Sequence, residues 1–192
     1  MRKGTYNRKT KETDVRVVLN LDGHGNAKIH TPIGFLNHML ELFSFFSDID
    51  LELTANGDIH VDFHHIVEDI GICIGEAISV SLKDKAGISR FGQAITPMDE
   101  SLTQVIVDIS GRPFLVYKAL PLPEKIGEMD SQLIEEFFHA LSYHANITLH
   151  INMNYGDNGH HIIESCFKGF GRAMKEAVRM TQSSIPSTKG VI

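Results

Sequence analysis

Residues 13–23, TDVRVVLNLDG, alternate polar and apolar positions with the two-residue period of a half-buried strand ending at Gly23. GFLNHMLELFSFF, 34–46, switches to a helical period. DLELTAN, 50–56, and DIHVDF, 58–63, read as strand, and HHIVEDIGICIGEAISVSLKDK, 64–85, as a long amphipathic helix. A strand follows Arg90, and the series then recurs. SLTQVIVDIS, 101–110, and PFLVYKA, 113–119, are strands, SQLIEEFFHALSYHA, 131–145, a helix, ITLHINMNY, 147–155, a strand, and HHIIESCFKGFGRAMKEAVRM, 160–180, the last long helix. The tail SSIPSTKGVI, 183–192, reads as irregular.

The recurrence has a fixed offset, the mark of an internal repeat. VVLNLDG at 17–23 returns as VIVDISG at 105–111, 88 residues on. LEL at 51–53 returns as ITL at 147–149, and HHIVED at 64–69 as HHIIES at 160–165, both 96 residues on. A longer connection in the second copy, PLPEKIGEMD at 121–130, accounts for the change. Strands grouped ahead of helices predict an α+β fold. Each half is a mostly antiparallel four-stranded sheet with two helices on one face, and the helices of the two halves pack together. The whole chain, 1–192, is one domain of two repeats, about 1–88 and 89–192.

Composition changes the picture only by exclusion. A chain of 192 residues with 42% hydrophobic content can bury a full core. Net charge of −6 gives no general attraction for nucleic acid or an anionic membrane, so an anionic ligand needs a local basic cluster. No apolar run approaches the roughly 20 residues of a membrane-spanning helix, and MRKGTYNRKTKETD lacks the apolar core of a secretory signal. Cys73 and Cys166 fall within apolar helical patterns, as reduced packing residues of a cytoplasmic protein do.

Eleven histidines are the unusual feature. On a helix, i and i+4 share a face whereas i and i+1 diverge by about 100°. His64 with Glu68, and His160 with Glu164, can therefore each share one target, while His65 and His161 point elsewhere. Two metals can use all four histidines if the pseudo-twofold brings the helix starts together, which predicts a dinuclear site. His38 and Glu136 precede the pairs by 26 and 24 residues, on the preceding helix of each repeat. Imidazole and carboxylate donors without thiolate suit Mn, Fe(II), Zn or Ni. Asp62 and Asp69 are candidates to orient the imidazoles. Phe43, Phe45, Phe46, Phe137 and Phe138 read as core, and His24, His30 and His60 as surface. Arg90, Arg112, Lys168 and Lys189, with Ser187 and Thr188, can together hold a phosphate.

FLNHML, HHIVEDIGICIG, PMDESL, VDISGRP, HHIIESCFKGFGRAM and PSTKG together resemble the imidazoleglycerol-phosphate dehydratase family, over essentially the whole chain from Glu12 to Lys189. The resemblance implies a monofunctional hydro-lyase of histidine biosynthesis that converts imidazole glycerol phosphate to imidazole acetol phosphate plus water through a metal-stabilised imidazolate. It implies two Mn²⁺ per active site and a 24-mer homo-oligomer built from trimers. Its metal ligands fall on His38, His64, His65, Glu68, His160, His161 and Glu164. The remaining position is Glu136, where many members carry histidine. Substrate contacts fall on Glu12, Arg90, Arg112, Lys168, Ser187 and Lys189, and candidate acid–base groups are Glu12, Glu68 and Glu164. Asn37 and Phe63 stand where aspartate is frequent. Two rival readings are a dinuclear metallohydrolase and a non-catalytic metal-binding shell protein.

Overall fold

Alternation in the second strand sets the first sheet. Val15, Val17 and Leu19 are fully buried while Asp14 and Arg16 face outward. In the computed structural model, which describes residues 1–181 and 183–192, this strand is β2 (Thr13–Asn20). It lies between β1 (Lys3–Lys9) and β4 (Asp50–Gly57), antiparallel to both, and β3 (Ala27–His30) pairs parallel to β4. The order is β1-β2-β4-β3, with Val17 opposite Leu53 so that both fill the same face. The second sheet repeats it: β5 (Phe91–Met98), β6 (Ser101–Asp108), β10 (Thr148–Tyr155) and β7 (Phe114–Lys118), with β10 and β7 parallel. Connection 121–130 folds into a small hairpin of β8 (Lys125–Ile126) and β9 (Met129–Asp130).

The helices are α1 (Gly34–Ser47), α2 (His64–Leu82), α3 (Leu133–His144) and α4 (Gly159–Val178). α2 lies on β1 and β2, and α4 on β5 and β6, while α2 packs on α3 and α4 on α1. The layers therefore run sheet, helices, helices, sheet. α2 is apolar around most of its circumference, as a helix covered on both sides must be, whereas α4 keeps a polar stripe with Arg172, Lys175 and Glu176 exposed. Burying each Leu, Ile, Val or Phe side chain there contributes about 1.5–3 kcal/mol. Cys73 and Cys166 sit in this core, where burial pushes each thiol up to about 12. Among the described residues no helix is long and apolar enough to cross a membrane.

The repeat holds at the level of contacts. A Cβ added at Gly4 on β1 would run into the carbonyl of Ala77 on α2. One added at Gly92 on β5 would meet that of Ala173 on α4. These pairs are related by the offsets of 88 for the strands and 96 for the helices. α1 is stopped by left-handed Asp48, and α3 is followed by left-handed Asn146, the residue types that tolerate this conformation best after glycine.

Two local expectations are corrected, and one strand is added. DIHVDF, 58–63, is a turn leading into α2 rather than a strand, and Ile59 and Val61 are exposed there. Phe45 is 67% exposed, because its phase on α1 is opposed to that of buried Phe43. β1, drawn from the polar N-terminal segment, was not signalled by alternation.

Candidate metal centre and active site

Asn158 starts α4 by accepting the backbone N–H groups of His160 and His161, which fixes both histidines in the first turn. One turn on, buried Glu164 faces back toward His160, and α1, packed against α4, adds His38 from the other half. Glu164 Oε2 lies 3.2 Å from His160 Nε2 and 3.6 Å from His38 Nε2. The three side chains offer one donor atom each within 4.8 Å of one another, the one such group among the described residues. Phe35 presses edge-on against the His160 ring at 5.2 Å. Lys168, one turn beyond Glu164, holds its other oxygen at 2.6 Å. Burial pushes the Glu164 carboxyl up, but the Lys168 hydrogen bond and charge outweigh it and leave it below the ordinary range.

The first half carries the counterpart. Asp62 accepts the backbone N–H of His64 at 2.7 Å, and His64 Nε2 stands 4.0 Å from Glu68 Oε2. Glu136 comes from α3. A Cβ at Gly171 on α4 would lie 2.9 Å from the carbonyl oxygen of Phe43 on α1, and one at Gly75 on α2 would lie 2.7 Å from that of Leu141 on α3. Gly171 follows Gly75 by 96 residues, and Leu141 follows Phe43 by 98. The same offset of 98 takes His38 to Glu136, which is half-buried on α3.

His65 and His161 turn away from these groups. Their rings stand at 87° and 82° to those of His64 and His160. His65 Nδ1 is held by Asp58 at 3.1 Å, with Glu12 at 3.9 Å, and His161 Nδ1 by Glu100 at 2.8 Å. These hydrogen bonds push both imidazoles up. The expected orienting partners have other work. Asp62 caps α2, and Asp69 is engaged by Arg8 at 2.7 Å and by the Thr13 hydroxyl. Nor do the two helix starts gather into one group inside the chain among the described residues, since each long helix packs against the shorter helix of the other half. Asp58 and Glu100 were missed by the sequence reading, although Glu100 follows Glu12 by the strand offset of 88.

The basic residues divide. Arg90 forks onto Asp108 at 2.8 and 3.3 Å and donates to the carbonyl of Pro186 at 3.0 Å, tying the tail to the end of the second sheet. Ser187 then closes a turn, its hydroxyl accepting the Lys189 N–H at 3.2 Å, with Thr188 exposed between them. The tail reaches Gly111, where a Cβ would lie 3.1 Å from Ile192, so exposed Arg112 borders the same end. Lys168 is not with them; it belongs to the Glu164 group.

A duplicated α+β protein with paired histidine–glutamate helix starts and a separate basic cluster is the class so defined. The sequence profile of the imidazoleglycerol-phosphate dehydratase family matches residues 31–174. The chain is 52% identical to the imidazoleglycerol-phosphate dehydratase of Rhodopseudomonas palustris strain TIE-1, covering 99% of this chain and 98% of that one. It is also 52% identical to the enzyme of that name from Thermodesulfovibrio yellowstonii, over all of both chains. Among solved structures it superposes on the Staphylococcus aureus N315 imidazoleglycerol-phosphate dehydratase with a TM-score of 0.85, at 42% identity, covering 93% of this chain and 99% of that one. The Pyrococcus furiosus protein, solved in complex with (S)-C348, gives 0.83 at 36% identity, covering 97% and 100%. The chain belongs to the imidazoleglycerol-phosphate dehydratase family, whose members are hydro-lyases.

Proposed function

We propose that the chain is a divalent-metal-dependent dehydratase that takes imidazole glycerol phosphate to imidazole acetol phosphate and water, a step of histidine biosynthesis. The observation that carries the metal dependence is the convergence of His38, His160 and Glu164. This donor set, two imidazoles and a carboxylate with no thiolate, fits a borderline-to-hard cation such as Mn²⁺. His38, His160 and Glu164 would hold one ion, and His64, Glu68 and Glu136 the second. His65 and His161, turned away from these groups, would complete the sites of neighbouring copies. That division supports a homo-oligomer, here a 24-mer of trimers.

The reaction breaks a carbon-bound hydroxyl and an adjacent C–H bond that has no carbonyl beside it, so the imidazole ring must accept the electron pair. A divalent cation held by these residues would supply Lewis acidity toward the substrate's imidazole ring. The chain supplies the rest. Arg90, Arg112, Ser187, Thr188 and Lys189 bind the phosphate, and Lys168 holds Glu164 ionised and in place. Glu12, exposed and 3.9 Å from His65 Nδ1, can carry a proton between substrate carbon and solvent, with Glu68 and Glu164 the other carboxylates within the metal groups. Hydroxide departs with one proton as water, and the resulting enol regains a proton on carbon to become the ketone. Loss of conversion on chelation and its return with Mn²⁺ test this reading.

A further inference from the structure

His65 and His161 turn away from His64 and His160, yet each ring is pinned. Glu100 sits at the turn between β5 and β6. One of its oxygens lies 2.8 Å from His161 Nδ1. The other accepts the backbone N–H groups of Asn158 at 2.9 Å and Asp157 at 3.3 Å, and the Ser101 hydroxyl at 2.9 Å. A single carboxylate thus ties the loop before α4 to the ring of that helix's second histidine.

Glu100 is the repeat counterpart of Glu12, and His161 that of His65, at the offsets of 88 and 96 that relate the two halves. The halves nevertheless differ. In the first, Asp58 occupies the Nδ1 position at 3.1 Å and Glu12 stands back at 3.9 Å. In the second, Glu100 occupies it itself. A carboxylate can only accept, so the ring hydrogen is on Nδ1 and the lone pair on Nε2, at the far side of the ring.

We propose that Glu100 is a positioning residue: its hydrogen bond to Nδ1 holds His161 in the tautomer and orientation in which Nε2 is a metal donor. Asp58 performs the same task for His65, which leaves Glu12 without a positioning duty. The repeat has in this way divided one ancestral carboxylate position between two roles. This rests on the metal-dependent reading above.

The test is Mn²⁺ binding to the full-length protein by titration calorimetry, with thermal melting of the metal-free form alongside. Glu100→Gln keeps an acceptor for Asn158 but sets an amide that can donate beside Nδ1, which moves the ring hydrogen to Nε2 and blocks ligation. The expected result is a loss of about 10- to 100-fold in affinity at one class of site, with little change in metal-free melting. Glu100→Asp restores part of it. In a His161→Ala background, Glu100→Gln changes affinity by less than about twofold, because the carboxylate acts through that ring. Wild-type affinity in Glu100→Gln, or the same loss in both backgrounds, overturns the proposal. Should Glu100→Gln fail to fold, Asp58→Asn carries the same test in the first half. A wild-type protein that takes up no Mn²⁺ removes the metal-dependent reading itself, and this proposal with it.

Discussion

Lys168 Nζ lies 2.6 Å from Oε1 of Glu164, while Oε2 of the same carboxylate faces His160 at 3.2 Å and His38 at 3.6 Å. One oxygen is steadied by a cation one helical turn along, and the other is left to share a target with two imidazoles. The arrangement joins two repeats: Lys168, Glu164 and His160 come from α4, and His38 from α1.

Glu164→Gln keeps the shape of this side chain and removes its charge. Turnover should fall by roughly 10²- to 10⁴-fold, the range for losing a positioned acid–base group, with the size-exclusion profile unchanged from wild type. Near-normal turnover in the assembled variant would remove Glu164 from the chemistry.

Arg112 is exposed at the end of the second sheet where the tail returns. Arg112→Ala should raise KM by about tenfold or more with kcat little changed, since a charge-assisted hydrogen bond to phosphate is worth about 1.5–3 kcal/mol. Steady-state kinetics decide it, and a rise no larger than about twofold counts against the phosphate role.

Close helix packing gives a separate prediction. A Cβ at Gly75 would lie 2.7 Å from the Leu141 carbonyl oxygen, 2.8 Å from the His144 Cβ and 2.9 Å from the Ala145 nitrogen. Gly75→Ala should cost about 1–3 kcal/mol of strain, outweighing or cancelling the roughly 1 kcal/mol that alanine gains as a helix former. Gly34 has nothing within 4 Å of its Cβ position, so Gly34→Ala should not destabilise. Thermal melting of the metal-free protein compares them. Gly75→Ala melting above Gly34→Ala would contradict the packing account.

The long helices and the interior strands were legible because apolar residues recur at 3.6 and 2 positions, and the repeat offset exposed most of the proposed ligands. What escaped has physical causes. β1 places Gly4 in the interior and otherwise presents polar residues, because a strand that approaches the Ala77 carbonyl has no room there for a side chain. DIHVDF alternates without a partner strand, and period alone cannot tell such a turn from a strand. Glu100 reaches His161 from a turn 61 residues away along the chain, and Asp58 reaches His65 from just past β4, outside the helix, so helix periodicity carried no sign of either. Glu136 aligned with His38 by spacing, and both lie on the shorter helix of their repeat.

Asp50 gives the pH dependence its sign. Its carboxylate accepts the backbone N–H groups of His24 and Asn26 at 2.9 and 3.0 Å, and these bonds, against a smaller burial effect, lower it to about 2. A folded value below the unfolded one stabilises the native state above the unfolded value of roughly 4, and that contribution is lost as pH falls through the folded value. Wild type should therefore exceed Asp50→Asn in melting temperature at neutral pH, with the gap closing as the pH falls from about 4 toward 2. A gap that widens on acidification would contradict the assignment.

The most direct measurement is conversion of imidazole glycerol phosphate by the purified full-length chain, stripped with chelator and titrated with Mn²⁺. Activity should be absent without metal, return on titration, and saturate near two ions per chain. Metal uptake without conversion, or conversion that survives complete removal of metal, would contradict the metal-dependent dehydratase reading.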